Sequence, residues 1–173
     1  MFNLCYHRQS DPLQYGLRIL DVTQKTRFPL VWITGASTGI GRALALELAT
    51  HGSRVVASAR GADKLSELAA EAEWLAGDII AITLDVADRD QVKCVYNAIT
   101  EAHGVPDLCV MNAGTYIPLN TAIFSAEIFA KQIDINWMGA VYALEALIPD
   151  MVDRGSGHIA VVGSVSGYRG LRT

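Results

Sequence analysis

From Pro29 onward, short apolar runs alternate with longer segments in which apolar residues recur every three or four positions. That alternation predicts β-α units wound around a parallel sheet. Leu30-Val31-Trp32-Ile33 is the first strand, and Ile40, Ala43, Leu44 and Leu48 share one face of the helix that His51-Gly52 stops. Arg54-Val55-Val56-Ala57 is the second strand, followed by a helix starting near Asp63 with Leu65, Leu68, Ala69 and Ala72 inward. Ile79 to Leu84 forms the third strand, and Val92, Val95, Tyr96 and Ile99 lie on one face of the helix over 88–102. Leu108 to Met111 is the fourth strand and Ile159 to Val162 the fifth. Between them, Ser125 to Asp150 reads as one long helix whose apolar positions include Phe129, Ile133, Val141, Leu144 and Ile148. The strands are apolar on both faces, as expected where helices cover both sides of a sheet. Residues 1–27 show no sustained period and are broken by Arg8-Gln9-Ser10-Asp11-Pro12, which makes them an appendage of unknown use.

Composition narrows the class. A length of 173 residues suits one domain, and 51% hydrophobic with 18% charged residues supplies a core and excludes a disordered chain. The net charge of −4, with no Lys/Arg block, argues against a nucleic-acid partner and against an anionic membrane surface. The longest charge-free stretch, Leu108 to Ala126, is interrupted by Asn112, Gly114, Pro118 and Asn120 and is unsuited to crossing a membrane. The N-terminus lacks a basic start followed by an apolar run, so a cytoplasmic location is expected. Cys5, Cys94 and Cys109, like His7, His51, His103 and His158, lack disulfide-framework or zinc spacing and read as buried or incidental groups.

The strongest chemical signal is Thr34-Gly35-Ala36-Ser37-Thr38-Gly39-Ile40-Gly41, between the first strand and the first helix. A turn there that brings backbone N–H groups and a helix N-terminus up to a pyrophosphate needs glycines, because side chains would block the approach. The loop has neither the Lys nor the Ser/Thr of a triphosphate-binding loop, and its G-x-x-x-G-x-G spacing differs from both G-x-G-x-x-G and the G-x-x-G-x-x-G of extended nucleotide-sugar epimerases.

With this loop the chain resembles the classical short-chain dehydrogenase/reductase family, whose first loop reads T-G-x-x-x-G-x-G. The likeness covers residues 29–173 and continues, in order, through Leu84-Asp85-Val86, Asn112-Ala113-Gly114, Asn136 and Ser164. It implies a Rossmann-type, doubly wound α/β domain holding five of the family's usual strands, in the order 3-2-1-4-5. By the same resemblance Asp85 accepts a hydrogen bond from the adenine amino group with the Val86 backbone beside it; otherwise Asp85 is an acidic helix cap. Asn112-Ala113-Gly114 lets the chain pass under the cofactor while Asn112 braces the sheet, a mostly structural role, and Asn136 offers its main-chain carbonyl to a water in a proton relay. Ser164 hydrogen-bonds the substrate oxygen; the register G-x-I-x-x-x-x-S-x-x-G starting at Gly157 selects it over Ser166.

Cofactor choice is written after the second strand, in Ala57-Ser58-Ala59-Arg60. Ala59 stands where NAD-preferring relatives carry an Asp that binds both ribose hydroxyls, and Arg60 can pair with a 2′-phosphate. NADP(H) is therefore expected over NAD(H). The resemblance further implies a small-molecule carbonyl or alcohol substrate and, for a complete chain, a homo-oligomer. The family's Y-x-x-x-K pair, whose Lys lowers the Tyr pKa, belongs a dozen or more residues beyond Ser164. Tyr168 and Arg172 mimic its spacing but come too early, inside the Gly167/Gly170 turn. The chain is thus expected to be an N-terminal portion that lacks turnover by itself, the alternative being a non-catalytic dinucleotide-binding or regulatory fragment.

Overall fold

The computed structural model describes residues 26–119 and 121–168; the expected appendage lies outside them but for its last two residues, as do Cys5, His7 and Arg172. In chain order the elements are β1 (Leu30–Thr34), α1 (Gly39–Thr50), β2 (Arg54–Ala59), α2 (Ala62–Glu71), β3 (Asp78–Thr83), α3 (Arg89–His103), β4 (Leu108–Met111), α4 (Ala126–Ile133), α5 (Gly139–Arg154) and β5 (His158–Val161). All pairings are parallel and the strand order is β3-β2-β1-β4-β5, the expected Rossmann-type, doubly wound sheet. Chain order reverses between β1 and β4, and a cleft opens at such a point because successive helices depart to opposite faces.

Alternation along β1 sorts the core into two layers. Leu30 and Trp32 pack with Val92, Val95, Tyr96 and Ile99 of α3 and Ala143, Leu147 and Met151 of α5. Val31 and Ile33 pack on the other face with Ala45 and Ala49 of α1 and Leu65 and Leu68 of α2. Trp32 is fully buried, so its indole N–H requires a partner. It donates to Ser58 Oγ at 2.9 Å, and that hydroxyl donates to the Ile33 carbonyl at 3.2 Å.

Three expectations are corrected. Burial on both faces holds for β1 and for most of β2 and β4, but β3 is only partly covered and all four residues of β5 are exposed, because these two strands form the sheet edges. In α1 the buried positions are Gly41, Ala45 and Ala49, while Ile40 and Ala43 face outward. Small residues let this helix lie close to the sheet. The long helix expected from Ser125 to Asp150 is broken by a π-helical segment, Asp134–Met138, and α5 buries Gly139, Ala143, Leu147 and Met151; Phe129, Ile133, Val141 and Ile148 are exposed. Gly139 cannot carry a side chain, since a Cβ there would lie 2.8 Å from Val86 Cγ2.

Two buried titratable groups are inert at neutral pH. Burial pushes the Cys109 thiol up to about 12, which removes its nucleophilic form. Cys94, by contrast, is exposed. Burial, reinforced by donation to Asp150 Oδ2 at 2.8 Å, raises the Tyr96 phenol well above its ordinary value. An unfolded tyrosine ionises near pH 10, so the preference for the folded state that Tyr96 contributes is complete below that pH and declines as pH rises past it. Urea titrations between pH 8 and 11 are expected to show falling stability, with a shallower fall in Tyr96→Phe; identical slopes would contradict this.

Candidate functional site

The glycine loop runs from the end of β1 into α1, and two of its three glycines are required by the protein's own packing. Gly35 has φ +68°, and a Cβ there would lie 2.6 Å from Ala113 Cα. A Cβ on Gly41 would meet Asn112 Nδ2 and lie 2.7 Å from the Gly35 carbonyl oxygen. The loop after β1 and the turn after β4 thus interlock. Asn112 Nδ2 donates to the carbonyls of Thr34 and Gly35, both at 3.1 Å. Thr34 Oγ1 accepts from the backbone N–H groups of Asn112 at 3.1 Å and Ala113 at 3.2 Å. Gly39 differs: its φ is +58° and nothing lies within 4 Å of the Cβ position, so it opens space in front of the helix.

Beside the loop lies a cleft of about 810 Å³ at the C-terminal edge of the sheet, lined by residues that include Gly35, Ser37, Thr38, Ile40, Ala59, Arg60, Asp85, Val86, Asn112, Ala113 and Gly114. Its volume falls within the usual range of ligand sites, roughly 300–1,000 Å³. Two helix N-termini reach it without a side-chain cap: Thr38 precedes α1 and Gly61 precedes α2. Away from it, α3 and α4 are capped by Asp88, which accepts from Gln91 N at 3.0 Å, and Ser125, which accepts from Ile128 N at 3.2 Å. Uncapped first-turn N–H groups carry partial positive charge and suit an anion. α1 also lacks an acidic residue in its first turn.

Most of the sequence-derived residues therefore meet around one cleft, and the exceptions are instructive. Thr34 is 2% exposed and lies beneath the cleft as a brace, not on its surface. Gly39 and Gly41 shape the loop without lining the cleft. Asp85 is not the helix cap, a role Asp88 fills; Asp85 Oδ1 accepts from Ala87 N at 3.1 Å. Ser164 lies two residues beyond Val162, which does line the cleft, and its carbonyl accepts from Gly167 N at 3.1 Å. Tyr168 follows the short 3-10 turn Val165–Gly167 and is 97% exposed.

Asn136 does not line the cleft either; it sits in the π-helical segment and its side-chain amide embraces Thr115, with Oδ1 accepting from Thr115 N at 2.6 Å and Nδ2 donating to Thr115 O at 2.8 Å. Sequence reasoning missed Gly61, Lys64, Thr115, Ile135 and Val162, all at the cleft. Gly61, Thr115 and Val162 follow the ends of β2, β4 and β5, which was the available signal; Lys64 in α2 and Ile135 in the π-helical segment carried none. It also missed Gln132, whose Oε1 accepts from Ile117 N at 2.9 Å.

Among the described residues, no group of three or more His, Cys, Asp or Glu side chains is placed to hold a metal ion, and no helix is long and apolar enough to cross a membrane.

Comparison with known proteins agrees with this geometry. The chain is 41% identical over 142 residues to an NADPH-dependent pterin aldehyde reductase of Arabidopsis thaliana, covering 81% of this chain and 58% of that protein. A short-chain type dehydrogenase/reductase of Mycobacterium marinum superposes with a TM-score of 0.79 at 34% identity, over 83% of this chain and 59% of that one. An alcohol dehydrogenase of Thermococcus sibiricus, solved as a complex with 5-hydroxy-NADP, gives 0.77 at 30% identity, over 82% and 60%. The chain thus spans somewhat over half the length of the curated relatives it matches. Since the family described as short chain dehydrogenase matches residues 29–173 and solved short-chain dehydrogenase/reductases share this fold, the chain belongs to that family of oxidoreductases.

Proposed function

We propose that the chain is the cofactor-binding part of an NADP(H)-dependent oxidoreductase that interconverts a secondary alcohol and a carbonyl compound. Arg60 carries this proposal. Among the described residues, Arg27 lies over the Phe28 ring, and Arg42, Arg54, Arg89 and Arg154 each pair with a carboxylate. Arg60 has neither kind of partner there and lines the cleft. A planar guanidinium kept free at a cleft rim suits a phosphate monoester, which it can grip with two parallel hydrogen bonds. Its neighbour Ala59 brings no carboxylate to repel that phosphate, and the uncapped start of α2 adds N–H donors. Lys64, Asp63 and Glu67 also line this end, so opposing charges nearly balance and selectivity rests on the geometry of Arg60.

The residues present fit the rest of the dinucleotide. The loop at Ser37 and Thr38 and the uncapped α1 suit a pyrophosphate, and Asp85, half-buried at the cleft beside Val86, suits an adenine amino group. A bound nicotinamide would supply the hydride. In this proposal Asn112, Ala113 and Gly114 wall the nicotinamide end, Ser164 orients the substrate oxygen, and Asn136 keeps the wall in place. The NADPH-dependent Arabidopsis relative and the NADP-type ligand of the Thermococcus structure support the choice of cofactor. For the whole protein, the proposal includes a cytoplasmic homo-oligomer acting on a small carbonyl or alcohol.

Displacement of bound NADPH, followed by its fluorescence, tests this proposal. Adenosine 2′,5′-bisphosphate should displace NADPH at concentrations at least about tenfold lower than 5′-AMP, the difference expected for a charge-assisted phosphate contact. Equal displacement by the two would remove the role given to Arg60.

A further inference from the structure

The cleft wall Asn112–Thr115 belongs to a stretch, 112–119, that is neither helix nor strand. Its near end is fixed by the Asn112 and Thr34 hydrogen bonds to the glycine loop. Among the described residues, no strand pairs with its far end. Instead, two side chains one helical turn apart supply what a neighbouring strand would: Asn136 meets both backbone groups of Thr115, and Gln132 accepts from Ile117 N at 2.9 Å. The Ile117 N–H is partly buried, so losing its acceptor leaves a donor unsatisfied.

We propose that Gln132 is a positioning residue of the cleft, holding the Thr115–Ile117 backbone so that the Asn112–Thr115 wall has its shape before a ligand arrives. This rests on the reading of the cleft as a dinucleotide site. The wall follows β4, whereas Arg60 follows β2, and β1 lies between them. Two strand spacings, about 10 Å, therefore separate the two ends. Gln132 accordingly governs affinity for the nicotinamide end and leaves the adenosine-phosphate end unaffected.

The test uses Gln132→Met, which keeps the length of the side chain but removes the acceptor, and Gln132→Glu, which keeps an acceptor. NADPH and adenosine 2′,5′-bisphosphate are titrated against each chain, and amide hydrogen exchange is followed at Ile117. In Q132M the NADPH Kd should rise roughly three- to tenfold, as expected for one lost hydrogen bond. The bisphosphate Kd should stay within about twofold while the Ile117 amide exchanges faster. Q132E should restore slow exchange at Ile117 and recover most of the NADPH affinity. Equal weakening of both probes in Q132M, no change in either, or a Q132M chain that no longer folds would overturn the proposal. A wild-type chain that binds neither probe would instead sink the dinucleotide reading, and this proposal with it.

Discussion

Replacing Gly35 with alanine is expected to cost about 2–5 kcal/mol of stability, from two sources that act together. A φ of +68° is disfavoured for an L-residue by about 1–2 kcal/mol. The new methyl group would also lie 2.6 Å from Ala113 Cα and 2.9 Å from Ala113 N. Those are backbone atoms that cannot rotate away, so overpacking adds about 1–3 kcal/mol. Small domains have only about 5–15 kcal/mol in hand, which makes this one methyl group enough to threaten the fold. Gly39→Ala shares the positive φ but enters open space, and should cost only about 1–2 kcal/mol. Urea denaturation of both variants checks the ordering, and a Gly39→Ala chain less stable than Gly35→Ala would contradict it.

Arg60→Ala is expected to weaken NADPH binding by about 10- to 150-fold while leaving NADH within about twofold. The range follows from hydrogen bonds to a charged partner, worth about 1.5–3 kcal/mol. Arg60 spends no interaction on the folded protein among the described residues, so the variant should unfold at the same urea concentration as the wild type. Arg60→Lys should recover only part of the affinity, because an ammonium cannot form the paired contact of a guanidinium. Isothermal titration with each cofactor measures all of this. Parallel losses for NADPH and NADH would show that Arg60 does not touch the 2′-phosphate.

The strands were legible because buried parallel strands write themselves as apolar runs, and β4 falls at Leu108–Met111 as expected. The glycine loop was legible for the same kind of reason, since few sequences need three glycines between a strand and a helix. Which helix faces turn inward was not. In α1 and α5 apolar residues occur all the way round; the face that packs is made of small residues in α1, Gly41, Ala45 and Ala49, and in α5 it starts with the small Gly139 and Ala143 and continues through Leu147 and Met151. Hydrophobicity therefore pointed to Ile40, Val141 and Ile148, which are exposed. The π-helical segment adds a residue to a helical turn and shifts the phase of everything after it, with no compositional mark except Asn136 and Gly139.

The site was legible as a set of residues and less so as a set of roles. Gly35 and Gly41 look like room left for a phosphate, yet the structure fills that room with Ala113 and Asn112. Thr34 looks like a ligand and is a buried brace. Gln132 carries no motif, because its role depends on a loop folding back onto a helix surface: an amide at i and another at i+4 become meaningful only where Thr115 and Ile117 lie against them.

The central claim is that this cleft holds NADP(H) by way of Arg60 in preference to NAD(H). The most direct measurement is the pair of dissociation constants of the wild-type chain for NADPH and NADH under identical salt and pH. A ratio of at least about tenfold in favour of NADPH is the predicted result, given one charge-assisted phosphate contact and no opposing carboxylate at Ala59. Equal affinities, or tighter binding of NADH, would contradict it.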